Sequence, residues 1–209
     1  MLTKKKVKIG TIAAVALVLL AATGILLYMS FASYGYAREV SAAEKEMRDA
    51  YVAQALGWYG ATEQSDEHLE ILSIYNNHTP LARGYAVQPE DNWCATFVSA
   101  VAIQCGYTGF IPTECGCQRQ IGLFEEFGCW VEDDGYIPLP GDIIYYSSYD
   151  AVGNNTGWSD HVGIVVGTNR HFIKVVEGNM VDRVGTRVIP INHGSIRGFA
   201  VPDYSSKET

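Results

Sequence analysis

The chain has 209 residues, 48% of them hydrophobic, and a formal net charge of −8 at neutral pH. This length supplies one domain with a sizeable core once an N-terminal segment is set aside. The 15 Lys and Arg are outnumbered by 23 Asp and Glu, and four of the lysines precede residue 9. The rest of the chain is therefore strongly acidic, which excludes nucleic acid as a partner drawn by charge.

The N-terminal segment has the pattern of a membrane anchor. Residues 9–31 are uncharged and mostly apolar, a run long enough to cross a bilayer as a helix. The lysines before it predict that residues 1–8 form a cytoplasmic basic tail and that the bulk of the chain lies outside the cell membrane. The alternative is a secreted protein whose signal peptide is cut near Gly35-Tyr36-Ala37. The length of the apolar run favours the uncleaved transmembrane helix.

Helical periodicity dominates the next part of the chain. The first two predicted helices lie in a linker and helical region, 32–84, which leads to a stretch broken by Pro and Gly. Pro112-Thr113 is predicted to open the last helix, and Gly106 and Gly128 are natural stops. The predicted helices cover about 40–55, 66–76, 94–105 and 112–127.

After residue 140 the sequence pattern changes to runs of β-branched residues and to alternation of apolar and polar residues with period 2. The residues between the second and third of these runs, Gly167-Thr168-Asn169-Arg170, are typical of a hairpin turn. Predicted strands cover 141–146, 161–166, 172–176, 187–191 and 196–201. Helices followed by antiparallel strands indicate an α+β fold, in which N-terminal helices pack on one antiparallel sheet.

Cys94 is the first candidate for a chemical role. Asp91 and Asn92 are good N-caps, so Cys94 falls in the first turn of a helix with a buried face. Unpaired N–H groups and the helix macrodipole favour an anion there, which should lower the thiol pKa and favour a nucleophilic thiolate. The alternative is a small buried hydrophobic residue without reactivity.

A cysteine nucleophile needs a base, and His161 is the best placed of five histidines. It begins a hydrophobic strand, from which a side chain can face a cleft on a rigid element. If the hairpin closes as predicted, the next strand returns beside it and ends in Glu177-Gly178-Asn179. Glu177 or Asn179 would then accept a hydrogen bond from one imidazole nitrogen and turn the other toward Cys94. The alternative for His161 is an ordinary strand histidine.

These residues together resemble the CHAP family, the cysteine- and histidine-dependent amidohydrolases and peptidases related to NlpC-type cell-wall hydrolases. The resemblance covers roughly residues 85–201 and lies in the order and spacing of its motifs. The motifs are Trp93-Cys94-Ala95 with Phe97-Val98, Pro140-Gly141-Asp142-Ile143, Asp160-His161-Val162-Gly163-Ile164-Val165, and Glu177-Gly178-Asn179. The resemblance implies a papain-like core in a catalytic domain over 85–203, followed by a tail, 204–209.

The resemblance also implies roles for four residues. Cys94 would be the nucleophile and His161 the general base and later the acid, while Glu177 matches the orienting acidic residue. Asn179 matches a polar residue often found just after that acid. The backbone N–H of Cys94 would contribute to an oxyanion hole, with Tyr85 or Gln88 as a second donor.

The function expected from these roles is a membrane-anchored, extracytoplasmic peptidoglycan amidase or endopeptidase that acts on stem or cross-bridge peptides. The chain shows no separate wall-binding module, which favours an enzyme tethered at the membrane. A transpeptidase of the same fold, or a catalytically silent module that holds wall peptides in an envelope assembly, are the alternatives. Neither a cofactor nor a metal is expected for the thiol mechanism.

Four further cysteines have no role in this scheme. Outside the membrane they could form up to two disulfides, in pairings that the sequence does not separate, or remain free structural thiols. Cys115-Gly116-Cys117 with Cys129 could instead be a fragment of a zinc site, although a fourth ligand is not evident. The four are Cys105, Cys115, Cys117 and Cys129.

Overall fold

The structure is a computed structural model that describes residues 34–147 and 157–205, together with Ala14, Val15 and Val18. The chain divides into two compact units, residues 1–34 and residues 35–209. In the first unit the three described residues are helical. All the elements numbered below belong to the second unit.

The predicted fold class needs one correction, which concerns the transmembrane helix over residues 9–31. Within the described residues, no helix is both long and apolar enough to cross a membrane. Residues 9–31 lie outside the described part of the chain, apart from the three helical positions named above. Within the described residues of the second unit, the fold class is α+β with an antiparallel sheet and four helices.

The first two helices begin at capping serines, whereas the third follows Trp93 without a side-chain cap, so Asp91 and Asn92 do not cap it as predicted. Ser41 and Ser65 accept hydrogen bonds through their hydroxyl oxygens from the backbone N–H groups of Glu44 (3.1 Å) and His68 (3.3 Å). Gly106 ends the third helix in the left-handed conformation, with φ of 68°. The helices are α1 Ala42–Gly57, α2 Asp66–Asn76, α3 Cys94–Cys105 and α4 Cys117–Glu126, and Ala82–Gly84 forms a single 3-10 turn.

The fourth helix begins at Cys117, five residues later than Pro112 predicts. Glu114 explains the delay, because its carboxylate accepts hydrogen bonds from the backbone N–H groups of Cys115 (2.8 Å) and Gly116 (3.2 Å). The hydroxyl of Ser99 also bonds the backbone carbonyl and N–H of Glu114. These bonds hold the segment before Cys117 as a loop and compete with helix formation.

The sheet has six antiparallel strands in the order β1-β6-β2-β3-β4-β5. Five of them lie where the sequence predicts strands. The sixth, a two-residue edge strand at Trp130–Val131, is too short to show alternation. The strands are β1 Trp130–Val131, β2 Ile143–Tyr146, β3 His161–Thr168, β4 Phe172–Glu177, β5 Gly185–Pro190 and β6 Ile196–Ala200.

Helix α3 is the centre of the core. It packs against α1 and α2 and also against β3 and β4, and its residues from Cys94 to Ala102 are all buried. The hydroxyl of Tyr51 on α1 donates to the Val98 carbonyl at 3.1 Å, which ties the two helices together. The helices of the region 32–84 thus share one core with the rest of the unit, and they hold α3 in place against the sheet.

The Pro140-Gly141-Asp142 motif has a structural role. The carboxylate of Asp142 is fully buried, pairs with Arg48 at 2.7 Å, and accepts hydrogen bonds from the Tyr136 hydroxyl and the Leu139 N–H. Arg48 also donates to the Pro140 carbonyl at 2.9 Å. This cluster fastens α1 to the start of β2.

Candidate active site

The structure brings Cys94, His161 and Glu177 together, at the start of α3, the start of β3 and the end of β4. Two glycines make this approach possible. A Cβ on Gly178 would lie 2.4 Å from Cβ of Phe97, so a glycine there lets α3 pack against the end of β4. A Cβ on Gly163 would lie 2.5 Å from Cγ of Glu177, so a glycine there lets the carboxylate lean along β3 toward His161. Larger residues at either position would push the helix or the carboxylate away.

Glu177 binds the imidazole of His161. Its Oε2 lies 3.0 Å from Nε2 of His161, and the carboxylate is fully buried. The same oxygen accepts hydrogen bonds from Nε (2.9 Å) and Nη2 (2.7 Å) of Arg187, which comes from β5. Arg187 therefore holds Glu177 in place and balances its charge. Of the two residues predicted to orient His161, the geometry selects Glu177.

His161 is poised as an imidazolium. Because Nε2 is bonded to Glu177, Nδ1 is the nitrogen left to interact with Cys94. Burial opposes the charged form, but the hydrogen bonds and charges of Cys94 and Glu177 outweigh burial and raise the imidazole pKa to about 9. The ring also stacks on Tyr146, with centroids 5.8 Å apart, which fixes its plane.

Cys94 is poised as a thiolate. The largest influence on it is a hydrogen bond from the Cys117 thiol, whose sulfur lies 3.6 Å away. This bond and the interaction with His161 overcome the effect of burial and lower the Cys94 pKa to about 5. At neutral pH the pair is therefore a thiolate beside an imidazolium, the reactive form of a cysteine nucleophile.

Cys117 is a member of the site that sequence reasoning missed. Its pKa lies well above the ordinary value, because it donates to Cys94 and is buried, so it remains a thiol and the donor. All five cysteines lie in the described residues and are free thiols, so of the fates left open for the other four the structure shows free thiols rather than disulfides. The sequence predicted this helix to begin at Pro112 and so gave no signal for Cys117; the packing of α4 beside α3 brings the two sulfurs together.

Asn179, the fourth predicted site residue, lies beside the site but does not bond His161. Its side-chain N–H group donates to Oδ1 of Asn92 at 3.2 Å. Asn92 precedes the Cys94 helix and Asn179 follows β4, so this bond joins the loops that carry the nucleophile and the carboxylate. A catalytic role for Asn179 stays a prediction.

The backbone N–H of Cys94 lies at a helix start, where N–H groups have no intrahelical partner, so it is available to an oxyanion. The two side chains predicted as second donors are engaged elsewhere. The Tyr85 hydroxyl donates to Asp91 at 2.7 Å, and the Gln88 amide donates to the Ala86 carbonyl at 2.8 Å. The second donor stays a prediction.

Two hollows flank the bridge between Asn92 and Asn179. One, of about 380 Å³, is lined by Tyr146, Asp160, His161, Asn179, Arg187 and Ser195 among others. The other, of about 190 Å³, includes Arg83, Tyr85, Asn92 and Cys115. A larger hollow of about 440 Å³ around Asp133 and Arg197 contains none of the site residues. A substrate that reaches His161 would therefore occupy the first hollow.

Zinc ligation by the remaining cysteines finds no support in the geometry. Cys115 accepts a hydrogen bond from Arg83 at 2.7 Å, while Cys129 lies against the Phe124 carbonyl. Among the residues that the structure describes, no group of His, Cys, Asp and Glu is arranged to hold a metal ion.

Comparison with known proteins gives little similarity to this chain. No family model matches it, and no curated protein matches it. A crystal structure of an NlpC/P60 family protein from Bacillus cereus ATCC 10987 is similar, with a TM-score of 0.36 and 17% sequence identity. The match covers 52% of this chain and 30% of that protein, so the chain spans less than a third of its length. No family is shown for this chain by these comparisons, and membership of the CHAP family stays a prediction.

Proposed function

We propose that this protein is a cysteine amidohydrolase or endopeptidase that cleaves amide bonds in peptidoglycan peptides. The observation that carries the proposal is the array of Cys94, His161 and Glu177, in which the thiol pKa is lowered to about 5 and the imidazole pKa is raised to about 9. The substrate class rests on the resemblance of the motifs and their order to those of CHAP hydrolases. On this proposal the catalytic unit works outside the cytoplasm, where peptidoglycan lies.

The array supports acyl transfer in two steps. The Cys94 thiolate attacks the carbonyl carbon of the amide, and the backbone N–H of Cys94 donates to the developing oxyanion. The His161 imidazolium then gives its proton to the leaving amine, which leaves an acyl group on the sulfur. In the second step neutral His161 takes a proton from water, the hydroxide attacks the thioester, and the thiolate is regenerated.

Glu177 supports these proton transfers by stabilising charged His161. A charged imidazole that is largely buried is costly unless an opposite charge and a hydrogen bond compensate it. The Glu177 carboxylate supplies both at 3.0 Å, and Arg187 keeps that carboxylate aimed at Nε2. His161 therefore keeps one orientation while its other nitrogen exchanges protons with the sulfur and the leaving amine.

The proposal is tested by incubating purified peptidoglycan with the full chain and analysing the soluble products by mass spectrometry. Cys94→Ala removes the nucleophile, and Cys129→Ser is the matched control, because it changes a half-buried thiol whose contact is the Phe124 carbonyl. We expect fragments with a new free amine from the unchanged chain and from Cys129→Ser, but not from Cys94→Ala.

The fragment masses identify the bond that is cut. A new cross-link in place of a free amine would show transfer to an amine acceptor and favour the transpeptidase. If folded protein leaves peptidoglycan of several wall types intact, the hydrolase and the transpeptidase are both contradicted. The catalytically silent binding module would then remain.

A further inference from the structure

The two sulfurs at the start of α3 and the start of α4 are close enough to bond. Sγ of Cys94 lies 3.6 Å from Sγ of Cys117, and a disulfide needs about 2.0 Å. Closing the gap takes a relative movement of the two sulfurs of about 1.6 Å. The hydrolysis proposed above uses Cys117 only as a hydrogen-bond donor, so this proximity has a further consequence.

The loop before Cys117 is held firmly in this position. Ser99 on α3 bonds both the N–H and the carbonyl of Glu114, and the Gln120 amide on α4 donates to Ser99 (3.3 Å) and to the Pro112 carbonyl (2.9 Å). All of these groups are buried. The middle of α3 is therefore fastened to the loop before α4 and to the first turn of α4 by hydrogen bonds that do not involve either sulfur, and these bonds would remain after the sulfurs bond.

The two thiols also differ in the way that disulfide formation requires. Cys94 is the thiolate, which is the form that reacts with an oxidant, and Cys117 is a protonated thiol adjacent to it. A low-pKa cysteine beside a second, resolving cysteine is the arrangement of a redox-sensitive site. The access to Cys94 that the proposed hydrolysis requires for a substrate carbonyl would serve a hydroperoxide as well.

We propose that Cys94 and Cys117 form a redox-active dithiol, a site of oxidative modification at which a hydroperoxide converts the nucleophile into a disulfide. The Cys94 thiolate attacks one peroxide oxygen, the O–O bond breaks, and Cys94 becomes a sulfenic acid while the leaving oxygen takes a proton. Cys117 then loses its proton and attacks the Cys94 sulfur, the S–O bond breaks, and water leaves. Two thiols and one hydrogen peroxide thus give one disulfide and two waters.

The consequence for activity rests on the proposed function, but formation of the disulfide does not. A disulfide removes the thiolate and so stops acyl transfer until a thiol reductant restores it. It also protects Cys94, because a sulfenic acid with no resolving thiol is oxidised further to sulfinic acid, which common thiol reductants do not reverse.

The test treats the full chain with a small excess of hydrogen peroxide, blocks free thiols with iodoacetamide, and maps the cysteines by mass spectrometry. Cleavage after glutamate separates Cys94, in residues 91–114, from Cys117, in residues 115–125. Cys105 and Cys115 share these peptides, so Cys105→Ser and Cys115→Ser are the matched controls. Cys117→Ser removes the proposed resolving thiol, and none of these measurements needs a peptidoglycan substrate.

We expect the two peptides to become cross-linked, with a mass lower by two hydrogens, in the unchanged chain and in both control variants. Dithiothreitol should return Cys94 to its alkylatable form. In Cys117→Ser the cross-link should be lost and Cys94 should accumulate as sulfinic acid that dithiothreitol does not recover.

Two results would overturn the proposal. One is sulfinic acid forming on Cys94 at the same rate with and without Cys117, and the other is a cross-link that survives Cys117→Ser but not Cys115→Ser. If the disulfide forms but peptidoglycan is not cleaved by the reduced chain, the dithiol stands and the proposed hydrolase fails.

Discussion

Two buried ionic clusters lie in the same unit and are built differently. Around Arg48 and Asp142, donors and acceptors are matched: Arg48 bonds Glu44, Asp142 and the Pro140 carbonyl, and Asp142 also accepts from Tyr136 and the Leu139 N–H. Around Glu177, within the described residues, Oε2 of the carboxylate accepts from both His161 and Arg187, whereas Oε1 makes no hydrogen bond of ordinary geometry; the buried hydroxyl of Tyr146 interacts with this carboxylate without forming one. In the first cluster the charged groups are matched by hydrogen-bond partners, and we call it the closed network. In the second cluster one carboxylate oxygen lacks such a partner, and we call it the open network.

The difference separates a cluster that holds the fold from the cluster to which the proposed chemistry is assigned. A closed network compensates the cost of burying charge and rigidifies the contact between α1 and β2. An open network tolerates incomplete bonding where charges and protons must move. Changes in the first cluster should therefore alter stability, and changes in the second should alter reactivity.

The largest effect is expected from Glu177→Gln. The amide keeps the size of the side chain but removes the charge that stabilises the imidazolium, so the pair of Cys94 and His161 shifts toward thiol and neutral imidazole. By analogy with the orienting carboxylate of other nucleophile triads, peptidoglycan cleavage should fall by about 10³–10⁴-fold. Initial rates of amine release measure this effect.

The melting temperature of Glu177→Gln serves as its control, because Arg187 is partly exposed and can be solvated when its partner loses charge. An unchanged cleavage rate in a folded variant would contradict the role given to Glu177.

Next in size is the effect of Arg48→Ala on stability. The substitution leaves the fully buried Asp142 carboxylate without its charge partner, which typically costs about 3–5 kcal/mol. Chemical denaturation measures the free energy of unfolding. Two results would contradict the separation of the two clusters. One is an unchanged free energy of unfolding in Arg48→Ala, and the other is a changed pKa of Cys94, measured by alkylation, in the folded fraction of this variant.

The smallest effect is expected from Cys117→Ala. Loss of the hydrogen bond from the Cys117 thiol should raise the pKa of Cys94. One hydrogen bond to a charged group contributes about 1.5–3 kcal/mol, so the expected rise is roughly one to two pKa units. The pH dependence of Cys94 alkylation measures the shift. Cys117→Ser keeps a hydrogen-bond donor, so its Cys94 pKa should stay close to that of the unchanged chain. An equal rise of the Cys94 pKa in both variants would indicate a packing effect instead.

Much of the fold was predictable because its signals are local. Ser41 and Ser65 cap helices through contacts within three residues, Gly106 ends a helix by its own φ, and β-branched runs form the central strands. The start of α4 was not predictable from Pro112, because the competing bonds come from the side chains of Ser99 and Glu114. Trp130–Val131 joins the sheet only through its pairing with β6.

The candidate site divides in the same way. Cys94, His161 and Glu177 could be proposed from the sequence because a helix start and one hairpin bring them to the places where chemistry needs them. Arg187 reaches Glu177 through the register of β4 and β5, in which Val175 lies opposite Arg187. Cys117 reaches Cys94 through the packing of two helices separated by a loop. Register and helix packing depend on the whole core, so these two partners required the structure.

The most direct test of the central claim is the rate of Cys94 alkylation by iodoacetamide in the full chain as a function of pH. Because Cys94 reacts as the thiolate, the rate should already be high at neutral pH and fall only as the pH drops through about 5. Above about pH 9, where His161 loses its proton, peptidoglycan cleavage should fall while alkylation continues. An alkylation profile that rises only near the ordinary cysteine pKa, about 8.5, would contradict the thiolate and imidazolium pair on which the proposed function depends.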